Sequence, residues 1–480
     1  MENDIISIFN LKDENIKLLK IEIIESKKFI HIIKILEPHF CPECGYKMHS
    51  KGVYKRHVNH PILQDGYTLT IILHQRKWRC TNESCNFYYN DEFGFVEKFK
   101  QSTNMTPYLI VYELKDLNKT ATEVAIKFNV SDTYVHETFM QYVNLSRLPL
   151  PKILCIDEVY LNFDEHNKYS LVLMDFVTGE IVDILPNRRE ETIRDYFLSI
   201  PKEERDTVEY LVCDMYNPYI NYTVRFMTKA KALVDSFHVM QWILNKINQY
   251  INKVKNKYQA RDDKELEEKN YKTNRENKTK AVSREVYLLN NYRWLMLKNN
   301  DSIKYTTIRR YNRKMKMYVD IYDMEKAFFE LDENFMIIRD LKEKYVKFNQ
   351  TKDMSIEERE VTLTKLIEEY KKCNIEMFVE FAGLLHKYRV EILNSFTYLE
   401  VEKSNKNHET LRRLSNGPME GFNRKPKDLK RNSRGVSNFE YTRNRILWST
   451  REDAPVLAVP KTRKEIQSKT GKKRGKYNKQ

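Results

Sequence analysis

Alternation of apolar and polar residues is clearest near the N-terminus. The runs KFIHIIKI and YTLTIILHQRKW, rich in β-branched and aromatic residues, predict strands. From Thr106 to Val143 the apolar positions return at helical spacing. Within that stretch Thr120 and Glu123 have the form of a capping box opening a short helix, ATEVAIKF. A turn follows at Asn129 and Val130, and Ser131 is placed to cap a second helix, DTYVHETFMQYV, with Val135, Phe139 and Tyr142 or Val143 as its buried stripe.

After Pro149 and Pro151 the pattern changes. Ile153 to Phe163, Tyr169 to Phe176, Glu180 to Leu185, Val208 to Cys213 and Lys231 to Val234 are short strand-like runs separated by turns or helical segments, which predicts a mixed α/β sheet. Between Val239 and about Asn405 the strand pattern is lost. A Lys/Glu-rich and Tyr-rich stretch takes over and predicts a block of amphipathic helices, with Lys253 to Lys280 as an extended or mobile arm. At Ser415 a turn leads into a helix carrying Glu420 among Arg424, Lys425, Lys427, Lys430 and Arg431.

Composition narrows the classes. At 480 residues the chain is expected to hold two to four domains, and its 11 glycines and 13 prolines exclude collagen-like or linker-dominated architecture. The formal net charge of +15 suits a polyanionic partner, although a Lys-, Ile- and Asn-rich composition also lowers the weight of lysine count alone. Placement says more: from Lys461 to Gln480 there are nine Lys or Arg and one acid, Glu465. A basic, disordered, phosphate-seeking tail is expected there. No apolar run is long enough to span a membrane and the N-terminus lacks a secretory pattern, so a soluble, cytoplasmic, nucleoid-associated protein is expected.

Seven cysteines, an odd number, fit a reducing compartment better than a disulfide framework. Four of them form two hooks, Cys41 with Cys44 ahead of Gly45, and Cys80 with Cys85. Tetrahedral zinc takes four soft ligands, and two short thiolate turns supply them while leaving no open position, so the expected metal is structural. Each hook follows a predicted strand, which reads as a zinc ribbon. His49, His57, His60 and His74 lie between the hooks, and Lys51, Lys55, Arg56, Arg76, Lys77 and Arg79 give the module a surface for DNA. Cys155, Cys213 and Cys373 are expected to be core or incidental residues.

The pair of helices around Asn129 has the order of a helix-turn-helix, in which Asp132, Thr133, Tyr134 and His136 would face the major groove; an ordinary helical hairpin shares the same pattern. Asp157 interrupts an apolar strand and Asp214 ends another. A carboxylate there is costly unless paired or metal-bound, and carboxylates from adjacent strands can converge on Mg²⁺. A solvated strand end or turn cap is the competing reading of both, and Glu158 competes with Asp157, since alternation lets only one of the two face the site. Glu420 reads as either a helix-capping acid or a third metal ligand.

Taken in order, CPECG with its second cysteine pair, CIDEVYL, CDMYNPY, LVDSFHVMQ, SNGPMEGFNRKPKDLKR and GVSNFEYTRNRIL resemble the zinc-ribbon DDE transposases of the ISL3 insertion-sequence family across most of the chain. The resemblance implies a ribonuclease H-like catalytic domain whose catalytic acids are Asp157, Asp214 and Glu420, holding two Mg²⁺ or Mn²⁺ ions. It gives Asp235 and His238 the task of site support, and makes the helical block an insertion within that domain. It also implies recognition of double-stranded DNA, at transposon inverted repeats and target. Thr133, Tyr134, His136, Arg424, Lys425, Lys427, Lys430 and Arg431 are the contacts expected, in a homodimer or larger synaptic complex.

The expected organisation is multidomain α+β: a zinc ribbon over residues 1–100, helix-turn-helix over 101–148, and the first part of the ribonuclease H-like α/β domain over 149–245. An all-helical insertion follows over 246–405, then the last part of the catalytic domain over 406–455 and the basic disordered tail over 456–480. The expected function is metal-dependent DNA strand cleavage and strand transfer. The rival is a non-catalytic DNA-binding regulator derived from a transposase, for which three retained acids would serve no purpose.

Overall fold

The computed structural model describes residues 11, 13, 15–64, 67–163, 168–273, 282–402, 409–433 and 438–468. An N-terminal sheet is built from β1 (Ile16–Ile24), β2 (Lys27–Lys34), β3 (Met48–Gln64), β4 (Tyr67–Cys80) and β5 (Tyr88–Asn90), in the order β1-β2-β4-β3 with β5 on β4. Alternation decides its buried face: Ile30, Ile32, Val58, Ile71 and Leu73 point one way and are covered by Phe93, Phe95 and Val96.

Three helices follow, α1 (Thr106–Glu113), α2 (Ala121–Phe128) and α3 (Asp132–Tyr142). The expected capping box of Thr120 and Glu123 is present, Asn129 ends α2 in the left-handed region (φ 52°), and the Ser131 hydroxyl accepts the Tyr134 N–H to start α3. Val135, Phe139 and Val143 form the buried stripe of α3. They do not close a core of their own. Ile110, Val124, Val135 and Phe139 share one apolar cluster with Cys155, Val159 and Val172 of the next sheet and with Met419, Leu447 and Trp448.

That sheet comprises β6 (Ile153–Tyr160), β7 (Tyr169–Asp175), β8 (Ile181–Leu185), β9 (Tyr210–Cys213) and β10 (Lys231–Val234), in the order β10-β9-β6-β7-β8. β7 runs antiparallel to both β6 and β8, and the β7–β8 turn has Asp175 accepting the Val177 N–H and Gly179 at φ +73°. β9 lies parallel to β6 and to β10. The second face of the sheet is covered by α4 (Glu190–Leu198) and α5 (Asn217–Arg225), which pack Phe197, Tyr219, Tyr222 and Phe226 on Leu154, Ile156 and Leu211.

From Ser236 the chain enters α6 (Ser236–Thr273), a single helix of 38 residues. Val239, Ile243, Ile247 and Ile251 recur at i, i+4 spacing and bury against α7 (Phe335–Gln350), α8 (Ile356–Lys372) and α9 (Glu376–Lys387) through Phe335, Ile338, Ile367, Phe378 and Phe381. The arm expected over Lys253 to Lys280 is the continuation of α6 as far as Thr273; its remainder lies outside the described residues. The block is not all-helical as expected. A short hairpin, β11 (Arg310–Asn312) with β12 (Met317–Val319), interrupts it, and β13 (Tyr398–Glu402) with β14 (Glu409–Arg413) straddles the expected boundary at 405. The first hairpin is only three residues deep per strand and turns through Lys316 at φ 54°, which leaves too short an alternation to read against helical surroundings.

The block packs directly beside the sheet. Asn394, ending α10 (Arg389–Asn394), donates to the Ala232 carbonyl (2.8 Å), and the Tyr388 hydroxyl donates to the Met215 carbonyl (3.1 Å). The chain then returns through α11 (Gly417–Phe422), α12 (Arg424–Asn432) and α13 (Phe439–Thr450). The segment after Val456, expected to be a disordered tail, is anchored as far as residue 468: Leu457 and Lys461 donate to the carbonyls of Tyr142 and Gln141, and α14 (Arg463–Ser468) pairs Arg463 with Glu137 (2.6 Å). Residues 469–480 of that tail lie outside the described residues.

Candidate metal and nucleic-acid site

Parallel pairing aligns three acids at one level of the sheet. Cys155 pairs with Val212 and Cys213 with Val234. Carrying those registers forward sets Asp157, within β6, level with Asp214 and Asp235, which directly follow β9 and β10. All three continue the face of Cys155, Val212 and Leu233, the face covered by α11 and α12. Glu158 takes the opposite face, where it accepts from the Tyr219 hydroxyl and from Arg188 (2.6 Å to Oε2). The competition between Asp157 and Glu158 is thus decided by the pleat.

α6 begins directly after Asp235, so His238 is carried back over the strand ends. Its Nε2 stands 2.9 Å from Asp214 Oδ1. This contact, opposed by burial and reinforced by the charges of Asp214, Asp235 and Asp157, pushes the imidazole up to about 9. Asp157 is pushed up to about 6, by burial first and then by the charge of Asp214. Asp235 is 1% exposed and its carboxyl is raised by burial. Such shifts mark acids crowded together in a poorly solvated place.

Glu420 lies in the first turn of α11, as expected, and is exposed. One ligand atom from each of Asp235, His238 and Glu420 lies within 4.8 Å of the others. That tight group differs from the expected trio. Asp157, Asp214 and Glu420 do not form such a group among the described residues; Asp214 joins through His238, and Asp157 accepts from Asn423 Nδ2 (2.6 Å), three residues after Glu420. Buried Asp235 Oδ2, Asn416 Oδ1 and Asn423 Oδ1 have no hydrogen-bond partner, so the site holds a surplus of oxygen acceptors. Oxygen donors in excess of protons fit a hard divalent cation.

The four hook cysteines also meet. Cys41 Sγ lies 3.7 Å from Cys85 Sγ and Cys44 Sγ lies 3.4 Å from Cys80 Sγ, and all four sulfurs are within 4.8 Å of one another. Tetrahedral zinc with bonds of about 2.3 Å separates its sulfurs by about 3.8 Å, so the cluster fits that ion. Gly45, at φ +75°, closes the first hook by donating to the Cys41 carbonyl (2.8 Å). The Tyr46 N–H, followed by the neighbouring thiols, holds Cys44 down to about 7. Cys155 and Cys213 are core residues, as expected.

The expected DNA contacts divide. Thr133 and His136 are exposed on α3, His136 lying beside the Tyr441 ring (4.7 Å), and the Tyr134 hydroxyl is bonded to Ser102 (3.2 Å). Arg424, Lys425 and Lys427 project from the exposed side of α12, which buries Pro426 and Leu429. Lys430 lies over the Tyr160 ring (4.3 Å), and Arg431 pairs with Asp428. In the N-terminal sheet Lys51, Lys55, Lys77 and Arg79 are exposed. Arg56 and Arg76 instead donate to backbone carbonyls, those of Glu97 (2.8 Å) and Lys34 (2.6 Å).

Two functional candidates, Asn416 and Asn423, carry no charge and so escape a search for charged side chains. Their positions four before and three after Glu420 are the available signal.

Residues 154–446 match the family model for transposases of the DDE ISL3 type, and since this span exceeds half of the chain, the protein belongs to that transposase family. No individually curated protein matches the chain. DNA is therefore the partner class and divalent metal the expected cofactor class. Among the described residues no helix is long and apolar enough to cross a membrane.

Proposed function

We propose that the protein is a catalytically competent transposase that binds the terminal inverted repeats of an insertion sequence and carries out Mg²⁺- or Mn²⁺-dependent cleavage and strand transfer. The observation that carries this reading is the grouping of Asp235, His238 and Glu420, with Asp214 on His238 and Asp157 level with Asp214 by strand register, beside buried oxygens that have no hydrogen-bond partner. The sheet, in this reading, is ribonuclease H-like, interrupted by the helical block.

Asp157, Asp214 and Glu420, supported by Asp235 and His238, would hold two divalent cations, which lower the pKa of an attacking hydroxyl and neutralise charge at the leaving oxygen. In cleavage a water oxygen attacks phosphorus at the element end, the P–O3′ bond breaks, and a 3′-hydroxyl is released. In transfer that 3′-hydroxyl attacks a target phosphate, forming one phosphodiester as another opens. The protein's own residues position these reactants. Arg424, Lys425 and Lys427 hold backbone phosphates next to Glu420, and Glu158, on the opposite face of the strand, pairs with Arg188. The cysteine cluster is a structural zinc ribbon, and α2–α3 a helix-turn-helix, which together recognise the repeats. Two ends must be joined, so the working form is a dimer or larger assembly.

Asp157→Asn tests the reading. Binding of end DNA in a gel shift should persist while Mg²⁺-dependent nicking disappears; persistent nicking would sink it. The alternative of a non-catalytic regulator predicts no nicking by the unmodified protein.

A further inference from the structure

Asn416 and Asn423 flank Glu420 on one side of the α11–α12 segment, and both are buried, at 0% and 6% exposure. Their amide nitrogens reach the same short piece of β6. Asn423 Nδ2 donates to Asp157 Oδ2 (2.6 Å), and Asn416 Nδ2 donates to the carbonyl of Ile156, the residue before it (3.3 Å). The other carboxylate oxygen, Asp157 Oδ1, accepts the Glu158 N–H (2.7 Å). Asp157 is therefore held from both sides and cannot rotate without losing a bond, while each oxygen keeps a second lone pair for a cation.

The carbonyl oxygens of both asparagines are buried without a partner. A buried amide satisfied at one end only is unfavourable relative to an apolar side chain of the same size. Packing alone gives no reason to place asparagine there. The bond that Asn423 makes does, because Asn423 lies three residues from Glu420, and its grip on Asp157 sets the spacing between a strand carboxylate and the helix carboxylate.

We propose that Asn423 is a positioning residue for the divalent-cation site: its amide orients Asp157 and couples it to the helix that carries Glu420. This rests on the reading of the acidic cluster as a metal site. Outer groups that orient metal ligands typically change metal affinity or activity between about 10- and 100-fold when removed.

The test uses the full chain, with Mn²⁺ uptake followed by electron paramagnetic resonance and end-DNA binding by gel shift. Asn423→Leu keeps the branched outline and removes the donor; Asn423→Ala removes both. Half-saturating Mn²⁺ should rise by between about 10- and 100-fold in each, end binding should be unchanged, and excess metal should restore part of the nicking. Unchanged Mn²⁺ affinity in a folded Asn423→Leu protein, beside lost affinity in Asp157→Asn, overturns the proposal alone. If Asp157→Asn also leaves Mn²⁺ uptake unchanged, the metal site itself is misread and the proposal falls with it. Should both Asn423 variants fail to fold, a Mg²⁺ titration of the unmodified chain carrying ¹⁵N-asparagine decides: a side-chain amide resonance must shift with metal binding, and none shifting overturns the proposal.

Discussion

The indole Nε1 of Trp448 donates to the carbonyl of Val111 across 2.9 Å, joining the helix that follows the acidic site to the first helix of the N-terminal trio. Around this bond the buried Arg445 guanidinium donates to the carbonyls of Asp116 (2.7 Å) and Lys119 (3.1 Å), and Lys115 lies 4.6 Å over the indole ring. The three helices and the sheet thus share a core, so a DNA end held by α3 would be presented to the acids at a fixed separation.

Trp448→Ala should destabilise this shared core by about 3–5 kcal/mol, the usual cost of removing a buried tryptophan. Because one cluster spans both parts, the trio and the sheet should lose structure together. Chemical denaturation followed by circular dichroism, together with limited proteolysis of the variant, checks this. Separate transitions for the two parts would contradict the shared core.

Removing metal from the cysteine cluster should unfold the hook end of the N-terminal sheet while leaving the central sheet intact. The buried apolar cluster there consists of Cys41, Met48, Trp78 and Cys80, too small a core to stand without its cross-link. Chelation, or Cys80→Ser, should release zinc measurable by atomic absorption and change the fluorescence of Trp78. Retention of the hook structure after metal loss would refute the dependence.

Glu158→Gln and Asp157→Asn should differ sharply although the residues are adjacent. Glu158 is paired with Arg188 and Tyr219 on the far face of the sheet. Its amide variant should retain metal-dependent nicking, whereas the Asp157 variant should lose it. Nicking assays at saturating Mg²⁺ compare the two directly.

Neutralising Arg424, Lys425 and Lys427 together should weaken DNA binding and flatten its salt dependence. For every DNA phosphate that the variant leaves unneutralised, the slope of log K against log salt falls in magnitude by about 0.9. Lys430→Ala should change the slope less, since its ammonium is already engaged over Tyr160. Binding isotherms at several salt concentrations give the slopes.

Local pattern carried much of this architecture. The strands Lys231–Val234 and Tyr67–Cys80, the capping box at Thr120, the Ser131 cap and the stripe Val135, Phe139, Val143 are each specified by neighbours within a few residues. What local pattern could not convey was which polar groups meet across the fold. Tyr134 has the position of a groove-facing residue, yet its hydroxyl is bonded to Ser102, distant in sequence. The same limit hid the anchoring of residues 457 to 468 on α3, because high charge reads as solvation until a partner such as Glu137 is found opposite.

Sequence by itself determined most of the strands and helices, the two cysteine hooks and the candidacy of the acids Asp157, Asp214 and Glu420, because hydrophobic period, turn chemistry and motif order are properties of neighbouring residues. Tertiary structure alone decided that Asp157 rather than Glu158 faces the site, that Asp235 and His238 bring ligand atoms within 4.8 Å of one of Glu420, and that Asn423 grips Asp157. Those outcomes depend on strand register and on the angle at which α11 returns to the sheet. Both are set by burying side chains from segments far apart in the sequence, here Cys155 and Val212 on the strands against Met419 and Phe422 on the returning helix.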